Sequence, residues 1–155
     1  MTKVLIVLTG AKEWSLKNGS KHFGGVWSPE FVYPHDCFTK AGYQVVVATL
    51  GGVSAAIGQA SLSLGLQEND QTAVDFQRDY LQRLEIEAAL ARPARLEALD
   101  TEEFDVIFVP GGFGVFQDLG GQSSHREDNR QAPPRPEGCR DAVQRRVCAA
   151  RRTDR

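Results

Sequence analysis

Hydrophobic positions in this chain gather in short, dense runs separated by polar stretches marked with glycine. Lys3 to Leu8 (KVLIVL) reads as a buried-type strand that closes on Thr9-Gly10. Tyr43 to Ala48 (YQVVVA) reads as a second strand, broken by Gly51-Gly52. The third and most informative run lies in Phe104 to Gly114, FDVIFVPGGFG, where a β-branched and aromatic segment stops at Gly111-Gly112. Such a run, apolar on both faces, predicts a fully buried central strand. The glycine pair at its carboxyl end lets the backbone turn sharply and approach a ligand closely. In open α/β sheets that edge is where ligands bind.

Between the strands the period changes to that of helices. Ser28-Pro29-Glu30 is a helix-start signal: Ser28 can cap, Pro29 suits the first helical position, and Glu30 favours the positive end of the dipole. The helix that follows tolerates Pro34 near its start, carries Cys37 on its apolar side as a core residue, and ends at Gly42. From Ser54 to Asp70 the pattern is loop-like. Thr72 with Asp75 predicts a capping box for one helix running to about Ala91, with Phe76, Tyr80, Leu81, Leu84 and Ala88 on its apolar face. Alternation of strand and helix predicts a parallel sheet covered on both faces, an α/β three-layer sandwich.

Past Leu119 this grammar stops. Gly120 to Glu137 holds no apolar residue larger than alanine or proline, and His125 to Arg155 contains nine arginines and no lysine. The expected organisation is therefore a partial α/β domain over residues 1–120 and an Arg/Pro-rich, disordered tail over 121–155. Five acidic residues mixed into the tail, and no interleaved aromatics, argue against a nucleic-acid grip. A net charge of −2 over 155 residues points to no particular partner. No apolar run reaches membrane-spanning length, and the one after Met1-Thr2-Lys3 is too short for a signal-peptide core. The expected location is cytoplasmic, with no membrane partner. Cys37, Cys139 and Cys148 have neither disulfide-framework nor zinc spacing.

Three segments in order, KVLIVLTG, GGVWSPEFVYPHDCFTKAGYQVVVATLGG and EEFDVIFVPGGFG, resemble the PfpI/ThiJ superfamily of class I glutamine-amidotransferase-like folds. Within it they are most similar to the heat-shock-protein-31-like glyoxalase III branch, over roughly Lys3 to Leu119. The resemblance implies a flavodoxin-like sandwich and a site that uses no cofactor and no metal. In such a site a cysteine thiolate attacks an aldehyde, a reaction that depends on a lowered thiol pKa. It places Glu30 as the proton-handling glutamate and the Gly112 backbone amide as the oxyanion donor. The implied partner is a small reactive aldehyde of the methylglyoxal type, converted to lactate. Association as a homodimer is left open.

The departures from the pattern matter as much as the matches. Phe113 stands where the motif usually has histidine, and Leu50, Gly58 and Ala60 replace the usual Pro, Asp and Pro. The cysteine elbow, of the form AVCHGP, is absent. Cys148, in Arg146-Val147-Cys148-Ala149-Ala150-Arg151, lacks both the apolar strand before it and the His-Gly-Pro after it. It is read as an incidental thiol. The expectation is a truncated family member, inactive as written, and a frameshift after about Ser124 would account for the abrupt change. The alternatives are a holdase-type chaperone and a non-functional product. The amidase or peptidase chemistry of other branches needs the same missing cysteine.

Overall fold

The computed structural model describes residues 1–119. Four parallel strands form the main sheet in the order β5-β4-β1-β6, with β1 at Lys3–Leu8, β4 at Gln44–Thr49, β5 at Ala94–Arg95 and β6 at Val106–Phe108. β1 pairs with β4 along its whole length, from Lys3 opposite Gln44 to Leu8 opposite Thr49, and with β6 from Val4 opposite Val106 to Ile6 opposite Phe108. The expectation of a parallel α/β sheet is met, and among the described strands β6 lies at the edge rather than at the centre. β1 and β4 are each paired on both edges, β4 only through its last two residues on the β5 side, and in β1 Val4, Leu5, Ile6 and Leu8 have no exposed surface. β6 is half-buried and, among the described residues, pairs only on its β1 side. An apolar run reports burial of faces, and it carries no information about which edges are paired.

Three helices cover one face. α1 (Ser28–Lys40), α2 (Gln71–Leu81) and α3 (Leu84–Ala91) place Phe31, Val32, Tyr80 and Ile86 against Val4, Ile6 and Leu8. Leu5, Val7, Ala48 and Ile107 point to the other face, where Phe104, Leu96 and Leu99 from short turns pack over them. The predicted single helix over Thr72–Ala91 is two helices. It is capped by Asp70, whose carboxylate accepts from the Ala73 amide at 3.0 Å, and Asp75 instead accepts from the Gln71 side chain. The break at Gln82-Arg83 leaves Arg83 extended, with its guanidinium 4.3 Å from the centre of the Tyr80 ring. The break also shifts the phase, so that Leu84 is exposed and Ile86 buried; within α2, Gln77 is fully buried beside Gln67.

Two further differences concern α1. Its N-cap is Trp27, so Ser28 is already helical, and its buried Oγ has no hydrogen-bond partner among the described residues. Cys37 is exposed rather than in the core. Ser28, Phe31, Val32 and His35 form the buried stripe, and Cys37 falls off that stripe by the 3.6-residue period. The segment between β1 and α1, expected as loop, contains a hairpin of β2 (Glu13–Ser15) and β3 (Lys21–Phe23). Among the described residues no helix is long and apolar enough to cross a membrane, and no cluster of His, Cys, Asp and Glu could hold a metal. The expected tail over 121–155, with Cys139 and Cys148, lies outside the described residues.

Candidate functional site

The carboxyl ends of β1 and β6 and the amino terminus of α1 meet at one point, as a parallel sheet requires when each strand feeds a helix or turn on the same side. Gly111 joins the end of β6 to the start of α1. Its amide donates to Glu30 Oε2 in a short hydrogen bond, and its carbonyl accepts from the Trp27 amide at 3.1 Å. Both backbone groups of one glycine are thus spent on the first turn of α1. A side chain at Gly111 would meet the Glu30 carboxylate, its Cβ falling 2.6 Å from Oε2.

Gly112 follows with φ 135° and ψ 159°, a conformation open essentially to glycine alone. Gly25 explains the choice. A Cβ at Gly112 would sit 2.2 Å from the Gly25 carbonyl oxygen and 2.9 Å from the Trp27 amide nitrogen. Gly25 is itself held at φ 95° against the backbone of Ile57 and Gly58. The Val26 amide donates to Ala56 and the Gly58 amide to Val26, so the segment leading into α1 is fixed by main-chain pairing from outside the sheet.

After Gly112 the chain makes a 3-10 turn, Phe113–Phe116. Asp118 ties this turn to the end of β1: its Oδ2 accepts from Thr9 Oγ1 at 2.8 Å and from the Gly10 amide at 2.9 Å. The β2–β3 hairpin holds the turn from the other side, Ser15 donating its amide to Gln117 Oε1 at 3.2 Å and Trp14 stacking on Phe113. The result is a cleft of about 240 Å³ lined by Trp27, Glu30, Gly112, Phe113 and Phe116. The two site residues expected from sequence, Glu30 and Gly112, line this one cleft. Among the described residues the Gly112 amide has no hydrogen-bond acceptor.

The arrangement offers one carboxylate, one uncommitted amide and three aromatic walls. It holds no nucleophile from the described residues. Cys37 stands seven residues along α1 from Glu30, about 10 Å at the helical rise. Sequence reasoning did not single out Trp14, Trp27, Phe116 or Asp118. Trp27 beside the Gly24-Gly25 pair was the readable signal. Trp14 was not readable, because it reaches the cleft only through the fold of the hairpin.

A second cavity, of about 280 Å³, lies on the helical face and is lined by His35, Thr39, Tyr43, Val47, Glu85 and Ile86, among others. There His35 Nδ1 and the Tyr80 hydroxyl share a hydrogen bond of 2.8 Å. Burial pushes the His35 pKa down, against smaller opposing effects of Asp36 and Glu85, and pushes the Tyr80 pKa up.

No protein-family model matches the chain. In sequence it is similar to the protein/nucleic acid deglycase HchA of Pseudomonas aeruginosa, 29% identical over 128 residues, which is 83% of this chain and 42% of that protein. The same figures hold for strains LESB58 and UCBPP-PA14. The chain therefore spans less than half the length of the curated relatives it matches. In structure it is similar to Rapid Encystment Protein 24 of Francisella tularensis, with TM-score 0.63 and 19% identity over 79% of this chain and 50% of that one. Glyoxalase III of Candida albicans superposes with TM-score 0.54 at 25% identity, over 76% of this chain and 46% of that one.

Proposed function

We propose that the chain is a member of the PfpI/ThiJ superfamily and that its cleft is the carbonyl-handling half of a glyoxalase- or deglycase-type site, a reading supported by its similarity to a deglycase and to a glyoxalase III. The observation that carries this reading is the placement of Glu30 and Gly112 in one cleft, with Gly111 bonded to Glu30. A carbonyl oxygen seated at the Gly112 amide meets a fixed donor. If a thiolate adds to the aldehyde carbon, the oxygen takes the electron pair of the C=O bond, and that donor stabilises the resulting charge without reorganising. Glu30, within the same cleft, is the group able to carry a proton between carbon and oxygen as the hemithioacetal rearranges. Addition of water then releases lactate from methylglyoxal and returns the thiol.

Among the described residues the thiolate is the missing part. Cys37 is exposed and two helical turns from Glu30, and Cys148 lies outside the described residues. We accordingly expect the 155-residue chain to bind a small carbonyl compound without turning it over. Binding is measured with hydroxyacetone, an unreactive ketol of methylglyoxal size, by titrating the Gly112 amide resonance in two-dimensional NMR. The expected result is a saturable shift of that resonance that weakens at least about threefold in Glu30→Gln. No shift, or a shift indifferent to Glu30, removes the reading. Cysteine-dependent lactate formation from methylglyoxal would remove the expected inactivity while keeping the site.

A holdase-type role is the second reading. It is favoured by large apolar side chains at the surface, Phe23 at 87% exposure and Phe116 at 67%, close to one edge of the molecule through the hairpin and the 113–116 turn. Suppression of client aggregation, lost in Phe23→Ser, is its test. Suppression that ignores Phe23 would point away from this surface.

A further inference from the structure

The aromatic wall of the cleft is out of proportion to a two-carbon or three-carbon aldehyde. Phe113 lies flat on Trp14, with ring centroids 5.6 Å apart and planes 1° from parallel. Phe116 leans on the same indole at 5.9 Å and 34°. Trp27 closes the cleft beside Glu30. Despite this stacking, Phe113 keeps 51% of its surface exposed and Phe116 keeps 67%. One side of the Phe113 ring is thus covered by Trp14 of the hairpin, leaving a solvent-facing aromatic surface beside the Glu30–Gly112 floor. A ligand that covers it gains by removing that surface from water, and a flat ring gains further through offset or edge-to-face contact.

Charge narrows the ligand further. Among the residues lining the cleft, Glu30 alone is ionisable, so a carboxylate or phosphate ligand would meet an unneutralised negative group. A neutral carbonyl does not. Apolar walls with a few polar groups at one end are the usual build of a small-molecule site, the polar end fixing orientation and the walls selecting the substituent.

We propose that the cleft selects neutral α-oxoaldehydes bearing an aromatic substituent over methylglyoxal, with the aryl ring against Phe113 and Phe116 and the carbonyl at Glu30 and Gly112. This rests on the carbonyl-site reading above and adds the substrate class. Phe113 is then a specificity residue: the histidine usual at this position of the motif would place a polar ring where this chain places an apolar one.

The test compares two unreactive neutral ketols that differ only in phenyl for methyl, 2-hydroxyacetophenone and hydroxyacetone. Each is titrated into the full chain while the Trp27 indole N–H and Gly112 amide resonances are followed. 2-Hydroxyacetophenone should saturate at a concentration about tenfold lower or less. Phe116→Ala, at an exposed ring whose loss leaves the turn's hydrogen bonds in place, and Phe113→Leu, which keeps an apolar side chain under Trp14, should each cut that ratio to about threefold or below. Equal affinities, or a preference unchanged in both variants, overturn the proposal. If hydroxyacetone still shifts Gly112 in a Glu30-dependent way, the carbonyl reading survives that failure. Binding of 2-hydroxyacetophenone whose absolute affinity is indifferent to Glu30→Gln overturns both, leaving an aromatic-binding cleft with no carbonyl chemistry.

Discussion

Gly112→Ala should be among the most damaging single-methyl changes in the described fold. Two independent costs combine. Its φ of 135° with ψ 159° lies where a residue with a Cβ is destabilised by about 1–3 kcal/mol. The added Cβ would also fall 2.2 Å from the Gly25 oxygen and 2.9 Å from both the Trp27 nitrogen and Val26 Cα, all of them backbone atoms that no rotamer change can move aside. Gly25 is tethered through its neighbour Val26, whose amide donates to Ala56 and whose carbonyl accepts from the Gly58 amide. Relieving such an overlap by backbone shifts costs about 1–3 kcal/mol more. The total, about 2–6 kcal/mol, is a large share of the 5–15 kcal/mol typical of whole domains. Urea unfolding followed by tryptophan fluorescence reads it directly, since Trp14 and Trp27 both flank the site. Gly65→Ala is the control: no atom lies within 4 Å of its Cβ position, and the change should stay within about 0.5 kcal/mol. A Gly112→Ala midpoint matching that control would mean that Gly25 and Gly112 do not approach as described, and the cleft floor would have to be redrawn.

Ser28→Ala should leave stability unchanged or raise it by up to about 1 kcal/mol in thermal melts, because it removes a buried hydroxyl that makes no hydrogen bond among the described residues. A loss above about 1 kcal/mol would restore Ser28 to the capping role that its neighbours Pro29 and Glu30 suggest. Stability should also fall on acidification through the histidine range. The folded-state pKa of His35 lies below its unfolded value of about 6.5, so the unfolded chain binds the proton more readily. The contribution is complete above about pH 6.5 and is lost as pH drops from there towards the depressed folded value. Denaturant melts between pH 7.5 and 5 should show this slope, and His35→Gln should flatten it. An equal slope in the variant would assign the effect to other groups.

Much of the fold was legible because the physics that sets it is local. KVLIVL and QVVVA announce buried strands through β-branched density, and Pro29-Glu30 marks the start of α1 within one residue. The same local signals erred where two solutions were equally good locally. Thr72/Asp75 and Asp70 are both competent helix starts, and only the tertiary position of the Ser61–Asp70 loop selects Asp70. The β2–β3 hairpin left no periodic trace, since five of its six residues are exposed and so face no core that would impose alternation. Cys37 was recoverable in principle: counting the helical period from Phe31 and His35 puts it on the solvent side.

The candidate site divides in the same way. Glu30 and Gly112 could be singled out from order and spacing along the chain, because each sits at a junction of elements that the sequence marks with Pro or Gly. Their meeting is a different matter. It depends on β1 lying between β4 and β6, so that the turn after β6 reaches the start of α1, and on Gly112 having no Cβ where it passes the Gly25 carbonyl. The aromatic wall is more distant still from the sequence. Trp14 and Phe113 are 99 positions apart, and nothing in either neighbourhood foretells their parallel stack. Residue types and junctions by themselves determined where a sheet, its helices and a glycine-rich edge would form. Tertiary structure alone decided which carboxylate, which amide and which rings share that edge, because close approach between distant segments is set by packing of the whole sheet rather than by any local preference.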